Sequence, residues 1–186
     1  MNCVQPIRDK EKIEQMKTEL QKNGTRDYLI FCLGINTGLR ISDIIKLKVK
    51  DILNQDRTIK THITIIEEKT NKNKRFKINN SLVEDLKNYI GNMNFEEYIF
   101  KSRKGINKPI SRVQAYRILN NAGQNVGLDE IGTHTLRKTF GYHFYNQTRD
   151  IALLQELFNH SSPSITLRYI GINQDKIDQA YDNFSL

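Results

Sequence analysis

The chain has 186 residues, enough for one compact domain with a buried core that needs neither disulfides nor a metal to hold it together. Its 29 lysines and arginines outweigh 21 acidic residues, and the formal net charge of +8 favours an anionic partner, nucleic acid before any other. Cys3 and Cys32 form neither a CxxC pair nor a disulfide framework, no stretch approaches the ~20 apolar residues that span a bilayer, and the start through Lys22 is too polar for a signal peptide, so a soluble, unexported cytoplasmic protein is expected.

In chain order, Ile13, Met16 and Leu20 recur at helical spacing, with Asp9 as a cap and Gly24 as a stop, which predicts an amphipathic helix. Tyr28 to Ile35 is almost wholly apolar, and Gly38 followed by the cap signal Ser42-Asp43 favours helix, turn, helix, with Arg40 in the turn. From Thr58 to Asn79 the texture changes: Ile59, Ile63, Ile65 and Ile66 alternate with threonines, the basic run Lys69 to Lys74 follows, and Phe76 and Ile78 close it. That pattern predicts a β-hairpin with a basic tip. Helical spacing returns after Ser81, interrupted by a strand-like Tyr98-Ile-Phe and a basic loop from Lys101 to Lys108, and Ser111 is set to cap a further helix. From His134 to Tyr181 several short helices are expected, separated at Asp150, Asn159 and Gly171. The fold class is therefore α+β, mostly helical, with a small antiparallel hairpin or sheet, in a single domain over 1–186 with a core at about 9–171 and a tail helix over 172–186.

Two groups of residues stand out: Gly38-Leu-Arg40-Ile-Ser-Asp43, and His134-Thr-Leu-Arg137 followed by Asn159-His160 and, nine positions after that histidine, Tyr169. In this order and spacing they resemble the signature of the tyrosine recombinase, or phage integrase, family: an arginine in a GLR turn, then H-x-x-R, then a GH-like box with a tyrosine nine residues on. Lys69, opening a K-T-x-K segment where the first strand ends, matches the lysine the family carries on its hairpin. Asn159 departs from the family's usual glycine before His160. The resemblance implies cleavage and rejoining of double-stranded DNA through a 3′-phosphotyrosyl link, without metal, ATP or other cofactor.

The chemistry explains the residue types. A phosphodiester under attack gathers charge on its non-bridging oxygens, and guanidinium groups match that geometry with paired donors while staying charged, which makes Arg40 and Arg137 the clamp. A phenol is un-ionised near neutrality, so Tyr169 as nucleophile needs a proton acceptor, for which His134 is the choice; three positions apart, His134 and Arg137 share a helix face. The departing 5′-oxygen needs a proton, assigned to Lys69, with Lys72 and Lys74 as neighbours within reach of the same role. The family's box implies that His160 donates a hydrogen bond to the phosphate. Asp43 either orients an arginine or caps the helix near Ser42.

Lys72, Lys74, Arg75, Lys77, Arg103, Lys104 and Arg112 are expected to contact DNA phosphates, Arg168 is read as a surface or DNA-backbone charge, and His62 and His143 receive no role. Ser162 and Pro163 should start the short helix carrying Tyr169. In the tail, Asn173 is read as a cap, and Ile177, Tyr181 and Phe184 form an apolar stripe that packs either on its own domain or, as in the family, on a neighbouring protomer. The resemblance further implies a homo-tetramer on DNA from a protein monomeric in solution, and the separate N-terminal helical domain of most members is not seen in the sequence. The alternatives are a DNA-binding accessory protein that does not cleave and a type IB topoisomerase.

Overall fold

The computed structural model describes residues 4–67, 73–129 and 131–184, apart from the side chains of residues 174, 176–178 and 180. Its elements run α1 (Lys10–Lys22), α2 (Thr25–Thr37), α3 (Ile41–Ile44), α4 (Val49–Ile52), β1 (His62–Ile66), β2 (Asn73–Lys77), α5 (Asn80–Ile90), α6 (Arg112–Asn125), α7 (Thr135–Thr148), α8 (Ile151–Phe158), α9 (Pro163–Tyr169) and α10 (Ile172–Asp182). Among the described residues no helix is long and apolar enough to cross a membrane.

Local chemistry accounts for most boundaries. The carboxylate of Asp9 accepts a hydrogen bond from the Glu11 amide, the hydroxyl of Ser111 from Gln114, the carboxylate of Asp150 from Leu153 and the hydroxyl of Ser162 from Ile165, each satisfying a first-turn amide that the helix leaves unpaired. Pro163 then occupies the first turn of α9, where its missing N–H costs nothing. Two expected caps are corrected. The α3 helix begins at Ile41 with Arg40 as its cap, so Ser42 and Asp43 lie inside it and Asp43 is buried rather than capping. Gly171, in the left-handed region, precedes α10, so Asn173 falls within that helix.

The hairpin is a two-stranded antiparallel sheet pairing His62 with Lys77 through Ile66 with Asn73. Because strand side chains alternate, Ile63 is buried and Lys74 and Phe76 turn inward, while Arg75 and Lys77 are exposed. Tyr98-Ile-Phe forms no strand: Tyr98 makes a single bridge to Lys48, and Ile99 and Phe100 are buried.

The apolar side chains divide into two clusters. The larger one joins α1 through α6, including Met16, Leu20, Phe31, Leu86 and Leu119 at full burial, each worth on the order of 2 kcal/mol relative to exposure. The smaller one gathers Leu154, Phe158, Ile170 and Ile172 with Phe140, Tyr142 and Tyr169. Helix α7 bridges them, giving Leu136 to the first and Phe140 to the second. It packs on α2 at Gly34, where a Cβ would stand 2.5 Å from Leu136 Cδ1 and 2.8 Å from its Cβ.

Gly34→Ala therefore forces a main-chain-anchored side chain to move, and the strain outweighs the helix propensity that alanine adds. A loss of about 1–3 kcal/mol in denaturant unfolding is expected, and a neutral or stabilising effect would show that the α2–α7 contact is not tight.

Candidate active site

The site forms at the seam between the two clusters. Gly38 ends α2 at φ +63°, a left-handed turn that glycine adopts freely, and Phe140 fills the space where a Cβ would project. The turn delivers Arg40 to a cleft of about 440 Å³ that it lines together with Ile41, Ser42, Arg112, Thr133, His134 and Arg137. Arg40, His134 and Arg137 thus line one cleft, and exposed Arg112 lines it with them.

Arg137 is 2% exposed. Its Nη1 donates to Gly38 O at 2.6 Å and its Nη2 to Phe158 O at 2.9 Å, and the guanidinium carbon lies 4.2 Å from the centroid of the Phe158 ring. Burial pushes this group below the ordinary arginine value, and the proximity of Tyr169 works in the opposite sense. Arg40 Nη1 lies 2.8 Å from Glu67 Oε1, an ion pair without an aligned hydrogen bond from that nitrogen among the described residues.

Tyr169 sits at the end of α9, half-buried, with its hydroxyl 3.3 Å from His134 Nδ1. The exposed His134 precedes α7 in a helical conformation, so it keeps the helical relation to Arg137 expected from their spacing. The Tyr169 ring meets Phe158 edge-on at 5.7 Å and His160 at 5.2 Å, with the ammonium of Lys138 5.3 Å from its centroid. His160 is held from both sides. Its backbone N–H donates to Gln155 O at 3.0 Å, its carbonyl accepts from Gln155 Nε2 at 3.1 Å, and its Nδ1 lies 3.0 Å from Thr166 Oγ1. Asn159 takes the left-handed conformation at φ +52°, which asparagine tolerates better than other side chains, so the turn before His160 is kept without glycine.

Lys69 and Lys72 lie outside the described residues. Lys74 differs from the expectation of an exposed side chain: it is 13% exposed, with Nζ donating to Leu157 O at 2.8 Å and standing 3.9 Å from Glu67 Oε1. The physical reason is strand alternation, which turns Lys74 under the hairpin while Arg75 and Lys77 stay outside. Arg103 and Lys104 are exposed on a separate cleft shared with Arg26 and Lys108. Glu67, Lys138 and Thr166 were not singled out in the sequence; the one signal for Glu67 is its place just before the hairpin lysines. The unassigned histidines behave as structural or surface groups: His143 Nε2 lies 2.9 Å from Ile7 O, and His62 is exposed.

The phage integrase family model matches residues 8–176. The chain belongs to the phage integrase family. It is 53% identical over 184 residues to a probable integrase/recombinase, YoeC, of Bacillus subtilis (strain 168), covering 99% of this chain and 98% of that one. It is 29% identical over 178 residues to the tyrosine recombinase XerA of Pyrococcus furiosus, covering 95% of this chain but 60% of the relative. The fold matches a crystal structure of XerA recombinase at a TM-score of 0.75 and 20% identity, over 96% of this chain and 65% of that one. It also matches a crystal structure of the XerH site-specific recombinase bound to palindromic difH substrate, at a TM-score of 0.72 and 20% identity, over 98% of this chain and 54% of that one. The family is that of the tyrosine recombinases, and the mostly helical α+β fold with its small hairpin is theirs.

Burial pushes the Lys74 ammonium down to about 8, with Arg137 and Arg40 adding repulsion and Glu67 and Asp43 opposing them. Below that pH the folded and unfolded chains both hold the proton and the cost of burial is felt in full. Between about 8 and the ordinary lysine value of 10.5 the unfolded chain holds a proton that the folded chain has lost, so folding stability rises with pH across this window. Lys74→Met, with no charge to bury, is expected to flatten that rise relative to wild type when unfolding is followed between about pH 7 and 10. Parallel stability curves for the two proteins would contradict the burial of Lys74.

Proposed function

We propose that this chain is a single catalytic domain that carries out site-specific recombination of double-stranded DNA, with Tyr169 as the nucleophile. The observation that carries the reading is the meeting, within one chain, of the Tyr169 hydroxyl with His134 Nδ1 at 3.3 Å, beside a cleft lined by Arg40 and Arg137. A phenol, a proton acceptor and two guanidiniums form a constellation suited to phosphoryl transfer.

In the proposed reaction the scissile phosphate enters between Arg40 and Arg137, which neutralise its non-bridging oxygens as charge builds in the transition state. His134 takes the phenolic proton, the Tyr169 oxygen forms a bond to phosphorus, and the bond to the 5′-oxygen breaks. Lys69 gives that oxygen its proton, while His160 donates a hydrogen bond to the phosphate. The products are a 3′-phosphotyrosyl enzyme and a 5′-hydroxyl. One phosphoester has been exchanged for another of similar energy, so rejoining is the same path in reverse with an incoming 5′-hydroxyl and needs no nucleotide cofactor.

Arg75, Lys77, Arg103, Lys104 and Arg112, all exposed, are proposed to contact the DNA backbone, with Lys72 joining them. A tetramer on DNA assembled from monomers is proposed as the working form. Tyr181 and Phe184 are 75% and 68% exposed, which supports the docking of the tail on a neighbouring protomer rather than on its own domain, while the first turn of α10 stays tied down by the ion pair between Arg8 and Asp175 at 2.7 Å. The expected location is the cytoplasm, with DNA, for a protein encoded by a bacterium or a phage.

The test is a nicked duplex carrying a recombination site, from which the broken strand cannot be rejoined. Wild type is expected to form a protein–DNA adduct that survives denaturation, and Tyr169→Phe to bind DNA and form none. Arg40→Ala should slow adduct formation by about 100- to 1000-fold, equivalent to about 2.7–4 kcal/mol. An adduct that persists in Tyr169→Phe would overturn the nucleophile assignment. Unchanged cleavage in Lys69→Ala would remove that lysine as the acid.

A further inference from the structure

We infer that Thr166 is a positioning residue that sets the tautomer of His160, making its outer nitrogen a hydrogen-bond donor without the ring having to take up a proton. The inference deepens the reading of His160 as a phosphate donor and rests on it.

Thr166 is fully buried in α9, between His160 and Tyr169 in the chain. Its Oγ1 lies 3.0 Å from His160 Nδ1 and 3.3 Å from Ser162 O, so one hydroxyl hydrogen faces two acceptors. Ser162 O already receives the backbone N–H of Thr166 at 3.3 Å. The ring nitrogen is the nearer acceptor and, as the hydroxyl's partner, leaves no buried carbonyl without a donor. With Nδ1 accepting, a neutral imidazole must carry its hydrogen on Nε2, since the hydrogen bond made by one ring nitrogen determines the state of the other.

The consequence is chemical. Phosphate oxygens only accept hydrogen bonds, so a neutral ring in the opposite tautomer, with Nε2 bare, would turn a lone pair toward them. With Nε2 protonated, His160 donates in its uncharged form. The ring is well placed to hold this orientation, because Phe158 and Tyr169 pack against it edge-on at 5.4 Å and 5.2 Å and Gln155 fixes its backbone. The Thr166 hydroxyl therefore acts on the reaction through His160.

The tautomer is read directly from long-range proton–nitrogen NMR spectra of the full chain without DNA, recorded where the histidines are neutral. The Nε2–H pattern is expected for His160; the Nδ1–H pattern would overturn the inference. Thr166→Val, which keeps the shape and removes the hydroxyl, is expected to give mixed tautomers. It should also lower adduct formation by about 10- to 100-fold, as loss of an orienting partner does for other histidines, while DNA binding holds. Thr166→Ser should restore both. A valine variant with wild-type tautomer and wild-type rate would also overturn the inference. Failure of the site reading itself would show separately, as a wild-type protein that forms no adduct whatever its tautomer.

Discussion

A guanidinium buried almost completely from water holds this structure in register. Taking Arg137 out of solvent is costly, and two main-chain carbonyls accept its hydrogen bonds, with the charges of Glu67 and Asp43 also favouring it. Both stand where helices end: Gly38 closes α2 and Phe158 is the last residue of α8. Helix C-termini leave carbonyls without intrahelical partners and carry partial negative charge, so one side chain satisfies two such ends and is itself satisfied. Arg137 thereby links the turn that presents Arg40 to the box that presents His160.

The same seam explains how Tyr169, packed in one cluster, comes close to the cleft that Arg40 of the other lines. The hairpin, the GLR turn and α6 belong to the large core, whereas α8 and α9 pack in the smaller one. Helix α7 spans the boundary, carrying Leu136 into one side and Phe140 into the other, with Arg137 between them. The Tyr169 ring is steadied by Phe158, His160 and Lys138, so its hydroxyl lies beside His134 through packing of several rings and not through a single hydrogen bond. Glu67 sits against Arg40 on the side of the hairpin, and its negative charge balances part of a strongly positive pocket.

Much of this was legible in the chain because its signals are local. Helix caps at Asp9, Ser111, Asp150 and Ser162 follow from side chains that reach their own first turn, and the hairpin follows from alternation of isoleucines with polar residues. The arginines, histidines and tyrosine proposed for the site stand out in the sequence through the family resemblance that their order and spacing carry. Residues that act across sequence distance were not. Glu67 finds Arg40 from 27 positions away, and Lys74 finds the Leu157 carbonyl from 83. Strand alternation could have placed Lys74 inside, but a lysine in a basic run reads as exposed. For Asp43 the sequence left two readings open, a cap or a partner for an arginine, because aspartate is common at caps; the helix starts at Ile41 with Arg40 as its cap, so the carboxylate is buried inside it.

The central claim is that one chain supplies both the clamp and the nucleophile. It is tested most directly by mixing two defective proteins, Tyr169→Phe and Arg40→Ala, on a nicked duplex carrying a recombination site and measuring covalent adduct. A site complete within each chain cannot be repaired by the mixture, so no more adduct than Arg40→Ala forms alone is expected. Restoration of wild-type adduct levels would mean that Tyr169 of one protomer serves the arginines of another, contradicting the arrangement in which His134 and Tyr169 meet.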